Sequence, residues 1–234
     1  METTGQRLKS EMKQTLFITG TDTGVGKTVL TALLTRFLRD HGVDAAALKP
    51  VCSGGRDDAR SLHAAMNGAL TLDEINPWHF RAPIAPLLAA RRQNRSLRQS
   101  QVLAHICEWQ KHFAVVLVEG AGGLLSPLGE NFNARDLITA LRATPIIIAP
   151  NKLGVMNHIL LTLEALPPAA AKRARVVLMS PPKPDAAIKT NANLLAEFFD
   201  QKRIFSLPWL GESFSAEQAL KNVRVQGTLA ALAK

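Results

Sequence analysis

The sequence predicts a single α/β domain built on an open, mostly parallel sheet with helices on both faces. Three observations predict it. Short runs that are apolar almost throughout alternate with longer runs of helical periodicity, as expected for strands covered on both faces. A glycine-rich turn, Gly20 to Thr28, stands between the first apolar run and the first helical one. A later apolar run, Val115 to Val118, ends in Glu119 and then in Gly120-Ala121-Gly122-Gly123.

Taken in order, the apolar runs place strands at Thr15–Thr19, Ala45–Lys49, Ala114–Glu119, Pro145–Ala149, Arg175–Met179 and Arg203–Ser206. Helices are expected at Lys27–His41, Asp57–Met66, Leu97–His112, Ala134–Arg142, Val155–Leu166 and Asp185–Asp200. The first of these puts Leu30, Leu33, Leu34, Phe37 and Leu38 on one stripe, with Gly42 as its stop. Strand–helix–strand alternation implies right-handed crossovers in one sheet. Asn67–Ala90 carries Pro77, Pro83 and Pro86 and reads as an irregular surface excursion. Ligands in such sheets bind at the carboxyl ends of the strands.

Bulk properties narrow the function. The chain has 234 residues, 47% hydrophobic and 20% charged, which suits one domain with a sizeable core. Residues 1–14 are polar, lack an apolar signal core and read as an extension without ordered structure; residues 15–234 form the domain. No apolar run reaches the roughly 18–20 residues a bilayer demands, so no membrane partner and a cytoplasmic location are expected. Cys52 and Cys107 are too few for a disulfide framework and are expected as reduced thiols. The net charge of +9 is concentrated in part at Arg81, Arg91, Arg92, Arg95 and Arg98, beside the helical stretch Ala85 to Ala90. A solvated helix end accounts for these arginines as well as a binding patch does. The chain has no tyrosine and no aromatic RNA-binding motif, and no nucleic-acid partner is expected.

The Gly20–Thr28 turn follows a strand and opens a helix, the context of a phosphate-binding P-loop. Gly24 and Gly26 let the backbone curl so that N–H groups point inward. The helix start adds partial positive charge, Lys27 a full one, and Thr28 a hydroxyl for magnesium. The first glycine, Gly20, lies one residue earlier than the strict P-loop spacing requires. The fold class is therefore P-loop NTPase-like.

Three further groups face the same end. Lys49, followed by Pro50-Val51-Cys52-Ser53-Gly54, closes the second strand and is either a second cation for a developing anion or a solvated lysine. Asp57 and Asp58 stand at a helix start; Asp58 is favoured as a metal ligand and Asp57 as a helix cap. Glu119, at the end of a buried strand and before glycines, sits as a rigid carboxylate beside the metal. The stretch Asn151 to His158 opens another helix, where free N–H groups suit a carboxylate and Asn157 suits either that ligand or the helix start; His158 is read as structural.

The loop with Asp22-Thr23 inside it resembles the Gly-x-Asp-Thr-x-Val-Gly-Lys-Thr signature of dethiobiotin synthetases. Lys49 to Gly54, Asn76-Pro77, Val118 to Gly123, Lys152 to His158 and Pro208 to Glu212 are similar to segments of that family, in the same order. The resemblance implies an ATP-dependent ligase that carboxylates 7,8-diaminopelargonic acid with carbon dioxide and closes a ureido ring through a carbamic–phosphoric anhydride. It implies that Thr23, Gly24, Val25, Gly26, Lys27, Thr28 and Val29, with Gly120, Ala121 and Gly122, surround the phosphates. It places Thr28, Asp58 and Glu119 around magnesium, makes Lys27 and Lys49 catalytic, and sets Pro208, Trp209, Leu210 and Glu212 at the nucleoside. Ser53 would contact the diamine, and Val155, Met156 and Asn157 would receive its carboxylate from a second subunit, so a homodimer is implied.

One position departs from the family pattern. Met179-Ser180 stands where an Asn-Asp pair commonly reads adenine, and thioether sulfur offers no equivalent paired bonds. A weakened adenine preference is expected. The alternatives are a partition or positioning ATPase of the same superfamily, which would carry an early second lysine that Gly20-Thr21-Asp22 lacks, a cobyrinic acid amidase, for whose glutaminase domain the chain has no room, and a degenerate homologue with altered nucleotide use.

Overall fold

A computed structural model describes residues 13–212 and 214–234. Strand β1 (Gln14–Gly20) runs through the middle of a six-stranded parallel sheet. Its neighbours are β5 (Val115–Gly123) and β6 (Thr144–Pro150), and β2 (Ala45–Leu48) lies outside β5. On the other side follow β7 (Arg175–Met179) and β8 (Ile204–Leu207), giving the order β2-β5-β1-β6-β7-β8. Leu16, Phe17, Ile18, Ile146, Ile147, Ile148, Val176 and Val177 are all at most 1% exposed. Side chains on both faces of these strands are thus buried, which is why the runs lack polar alternation. The chain steps from β1 to one side, returns through β5, and continues on the other side of β1. That reversal opens a crevice at the carboxyl end of β1.

Helix α1 (Lys27–Asp40) leaves this crevice and buries Leu30, Leu33, Leu34, Phe37 and Leu38, the expected stripe. Its first residue follows Gly26 in a left-handed conformation (φ 98°). Helix α2 (Asp57–Ala65) packs on α1. Its cap position is Arg56, not Asp57, and Asp57 instead pairs with Arg60 at 2.6 Å. An aspartate one residue inside the helix points outward along the first turn, so the expected capping role is withdrawn.

The stretch expected to be an irregular excursion is built. Thr71 and Glu74 form a reciprocal capping box that starts α3 (Leu72–Ile75). Strand β4 (Trp78–Phe80) then pairs in parallel with β3 (Val51–Ser53), with Ser53 opposite Phe80, as a second small sheet. Ile75 and Phe80 are fully buried. Helix α4 (Pro86–Arg92) follows, with proline at its first position. The prolines mislead here because Pro77 and Pro83 sit between short elements and Pro86 opens one, so none interrupts an element.

Helices α5 (Gln99–His112), α6 (Ala134–Leu141) and α7 (Val155–Glu164) appear where expected. A short α8 (Pro168–Ala171) precedes β7. The continuous helix expected over Asp185–Asp200 does not form. A 3-10 turn (Ala186–Lys189) and α9 (Asn191–Leu195) replace it. The cause is tertiary. Asp185 accepts from the Leu153 N–H at 2.8 Å, and the buried Asn191 amide donates to Asn151 Oδ1 at 2.8 Å. These bonds tie the segment to the loop after β6 and break its helical path. Two further helices, α10 (Ala216–Ala219) and α11 (Val223–Leu232), lie beyond the last element expected, and α11 buries Val225, Leu229 and Leu232.

Of the expected N-terminal extension, residues 1–12 lie outside the described residues, and Gln14 already belongs to β1. No helix among the described residues is long and apolar enough to cross a membrane.

Phe80→Ala is expected to lower stability by about 3–5 kcal/mol, because its ring is wholly enclosed. Urea unfolding followed by circular dichroism measures it. A loss near zero would mean that the small sheet does not belong to the core.

Candidate active site

Everything at the site hangs from the ends of β1, β2 and β5. In the β1–β5 pairing, Ile18 lies opposite Glu119, and the register then shifts before Gly20 meets Gly123. The shift carries the phosphate loop out of the sheet while leaving Glu119 inside it. Gly24 and Gly26 both have positive φ (73° and 98°). Gly20 has no room for a side chain, since an added Cβ would fall 2.7 Å from Val25 Cγ2. Val25 is itself buried beneath the loop.

Lys27 arches back over the loop, and its Nζ donates to the Asp22 carbonyl at 2.8 Å. Burial, and then the neighbouring Lys49 charge, pull its ammonium down to about 8. Lys49 is 3% exposed. Its Nζ donates to Glu119 Oε1 at 2.7 Å, Asp58 Oδ2 at 2.8 Å and the Gly120 carbonyl at 3.2 Å. Burial alone would depress it, but Glu119 and Asp58 outweigh burial and hold it above the ordinary lysine value. Buried and paired with two carboxylates, Lys49 is not the solvated lysine of the alternative reading. For Asp58, burial pushes upward, yet the Lys49 charge prevails and keeps the carboxyl below its ordinary range.

Thr28 Oγ1 donates to Glu119 Oε1 at 2.7 Å. Glu119 Oε2, by contrast, is buried without a hydrogen-bond partner. A buried orphan oxygen carries a desolvation cost that a ligand would relieve. With the Thr28 hydroxyl and the Asp58 carboxylate beside it, the donor set is all oxygen, which suits a hard divalent cation such as magnesium.

These groups line a cavity of about 750 Å³. Pro83, Ile84, Ala85, Pro86, Ser126 and Pro127 also line it; by sequence Pro83 and Pro86 fall in a surface excursion, and none of the six is assigned to the site. Ser53 is on the lining, its Oγ donating to the Ile84 carbonyl at 2.6 Å. Cys52 lines it too; burial pushes its thiol up, and it contacts Asn76 Oδ1 at 3.1 Å. Asn76, 1% exposed and at the end of α3, donates through Nδ2 to the Lys49 carbonyl at 2.7 Å and so positions Lys49. In the sequence Asn76 stands out only through the Asn76-Pro77 segment of the family resemblance, which gives it no role.

The cavity gathers Thr23, Gly24, Gly26, Lys27, Thr28, Val29, Lys49, Ser53, Asp58, Glu119, Ala121 and Gly122. Gly120 contributes through its carbonyl. Pro208, Trp209, Leu210 and Glu212 lie outside its lining, on the loop after β8. Met179 bridges the gap: its Cε lies 3.2 Å from where a Cβ on Gly26 would stand. Val155, Met156 and Asn157 do not reach the cavity. The Val155 side chain is buried in the core, whereas Asn157 is exposed.

A parallel sheet with a phosphate loop at its central strand, a buried lysine and an oxygen-rich pocket define a P-loop NTPase-type enzyme fold. A family described as an AAA domain matches residues 14–216. The chain is 38% identical over 213 residues to the ATP-dependent dethiobiotin synthetase BioD of Anaeromyxobacter dehalogenans, covering 89% of this chain and 96% of that protein. It is 37% identical over 196 residues to the same-named protein of Akkermansia muciniphila, covering 83% and 89%. The chain belongs to the ATP-dependent dethiobiotin synthetase family. Among solved structures, pNOB8 ParA bound to nonspecific DNA superposes with a TM-score of 0.54 at 12% identity, covering 95% of this chain and 96% of that one, a likeness of fold.

Lys49→Met leaves the Glu119 charge buried with less compensation and is expected to cost about 3–5 kcal/mol. The double variant Lys49→Met/Glu119→Met recovers most of that loss. Equilibrium urea unfolding of the cycle checks this, and additive losses would show that the two groups are not coupled.

Proposed function

We propose that this chain is an ATP-dependent dethiobiotin synthetase that joins carbon dioxide to 7,8-diaminopelargonic acid and closes the ureido ring. One observation carries the reading: Lys27 and Lys49 stand at one cavity, Lys49 being locked to Glu119 and Asp58, and Pro83, Ile84, Ala85, Pro86 and Pro127 add apolar surface to the same lining. That apolar surface suits the aliphatic chain of the diamine, and the cations suit its anionic partners. As the family resemblance implies, one amine takes up carbon dioxide and loses a proton to become a carbamate. A carbamate oxygen then attacks the γ-phosphorus and ADP leaves. The second amine attacks the carbonyl carbon of the mixed anhydride, phosphate departs with the bonding pair, and the amine proton is released.

The chain's own contribution is electrostatic. Carbamate and γ-phosphate repel each other, and fixed positive charge at their meeting point lowers that repulsion most where water is excluded. Lys27 is assigned to the phosphate side and Lys49 to the carbamate side. Gly24 to Thr28 cradle phosphate oxygens with backbone N–H groups. Thr28, Asp58 and Glu119 would hold magnesium, which supplies further charge neutralisation to the phosphates when bound. Ser53 is assigned to the diamine. Pro208, Trp209, Leu210 and Glu212 are assigned to the nucleoside. Asn157 stands outside the cavity on an exposed helix start and, with the Met156 N–H, is assigned to the substrate carboxylate of a second copy in a homodimer. The Val155 N–H is already engaged by the Lys152 carbonyl at 3.2 Å, which narrows its part in that contact.

Phosphate release is expected only when diamine and bicarbonate are both present; release stimulated by DNA or lipid instead would favour a switch ATPase. Met179 gives the base a thioether in place of paired hydrogen bonds. Turnover with CTP and GTP is therefore expected within about tenfold of that with ATP, and a far larger adenine preference refutes this. Asp58→Asn is expected to raise the magnesium concentration for half-maximal turnover about tenfold, read from a magnesium titration of phosphate release.

A further inference from the structure

The sheet has a second end that this chemistry does not use. At the amino ends of β6, β7 and β8 a cleft of about 660 Å³ is lined by Arg173, Arg175, Lys202, Arg203 and Lys234, with Phe205 beside them. Thr144 and Arg175, the first residues of β6 and β7, both line it, so it faces away from the phosphate loop. No carboxylate side chain among the described residues lines it.

Carbonyl oxygens anchor the guanidinium groups. Arg173 Nη1 donates to the Ala169 carbonyl at 2.7 Å, and Arg203 Nη1 to that of Lys172 at 2.7 Å. Arg175 Nη1 donates to the Leu232 carbonyl. Carbonyls fix a guanidinium in place without cancelling its charge, and each guanidinium retains further N–H donors. Among the described residues the counter-charge is Asp200, 3.2 Å from Arg203. Arg203 is also stacked 4.4 Å above the Phe199 ring, which orients its fork. Arg175 is half-buried, and burial lowers its guanidinium with no acid to offset it. Several fixed cations around one concavity repel one another, and a multiply charged anion relieves that repulsion. Arginine forks match phosphate oxygens in shape. The volume is that of a small-molecule site rather than of an extended track for a polymer.

We propose that this cleft binds a small anion carrying two or more phosphate groups, at a site separate from the nucleotide loop. The anion is either free or the headgroup of a lipid. Inorganic triphosphate is titrated calorimetrically into the full chain, with the phosphate loop saturated by a non-hydrolysable ATP analogue and magnesium. One further site is expected, weakened by added salt. It is expected to be about tenfold weaker in the double variant Lys202→Glu/Lys234→Glu. Both residues are exposed and remote from the loop, so diamine-dependent phosphate release is unchanged in that variant, which separates this site from the proposed reaction. Phosphatidylcholine vesicles containing a phosphatidylinositol bisphosphate form a second arm: binding to them without binding of triphosphate assigns the lipid source. No further binding of either probe overturns the proposal, as does binding that the double variant leaves untouched. Capture of a duplex oligonucleotide alone overturns it as well, since the partner would then be a polymer.

Discussion

Glu119 is enclosed in the middle of the core strand β5, four residues short of its end, and the ammonium of Lys49 lies 2.7 Å from its carboxylate. The remainder of the site depends on that contact. An isolated buried carboxylate is costly, and so is an isolated buried ammonium. Each is tolerated because the other is there, and Asp58 and the Thr28 hydroxyl complete the arrangement. Four separate parts of the chain are thereby pinned together: the strand carrying Glu119, the turn carrying Lys49, the helix α2 carrying Asp58, and the helix opened by the phosphate loop.

The pair is held from outside as well. The small β3–β4 sheet and the α3 end before it look peripheral, but Asn76 at that helix end reaches the Lys49 carbonyl, and Ser53 of β3 donates to the Ile84 carbonyl beyond β4 on the cavity. The buried lysine and the apolar part of the cavity lining are coupled through a few residues of backbone. Glu119 Oε2 is then a buried acceptor in the knot left without a partner, in a cluster whose oxygen groups suit a hard cation.

Much of this was legible in the residues. The strands were readable because strands buried on both faces must be apolar throughout, and Ile146 to Ala149 is such a run. The phosphate loop was readable because its glycines and lysine are adjacent in the chain and their chemistry is local. Lys49 was ambiguous, because its partners are 70 residues away at Glu119 and nine residues away at Asp58. The break within Asp185–Asp200 was hidden for the same reason: Asn191 and Asp185 satisfy helical spacing, yet their polar groups are taken by Asn151 and Leu153 across the fold. The wall from Pro83 to Pro86 carried no signal, since apolar residues that line a ligand and those that fill a core look alike in sequence.

By itself, then, the sequence determined what depends on neighbours along the chain: strand and helix periodicity, the curl of the phosphate loop, and the charge it presents. The tertiary structure alone decided which cation is buried, which carboxylate oxygen stays unpaired, where Asp57 and Asn157 point, and that basic residues gather at the far end of the sheet. The physical reason is range. Backbone propensity and helix-end electrostatics act over a few residues, whereas desolvation and ion pairing depend on whatever the fold brings to within a few ångströms.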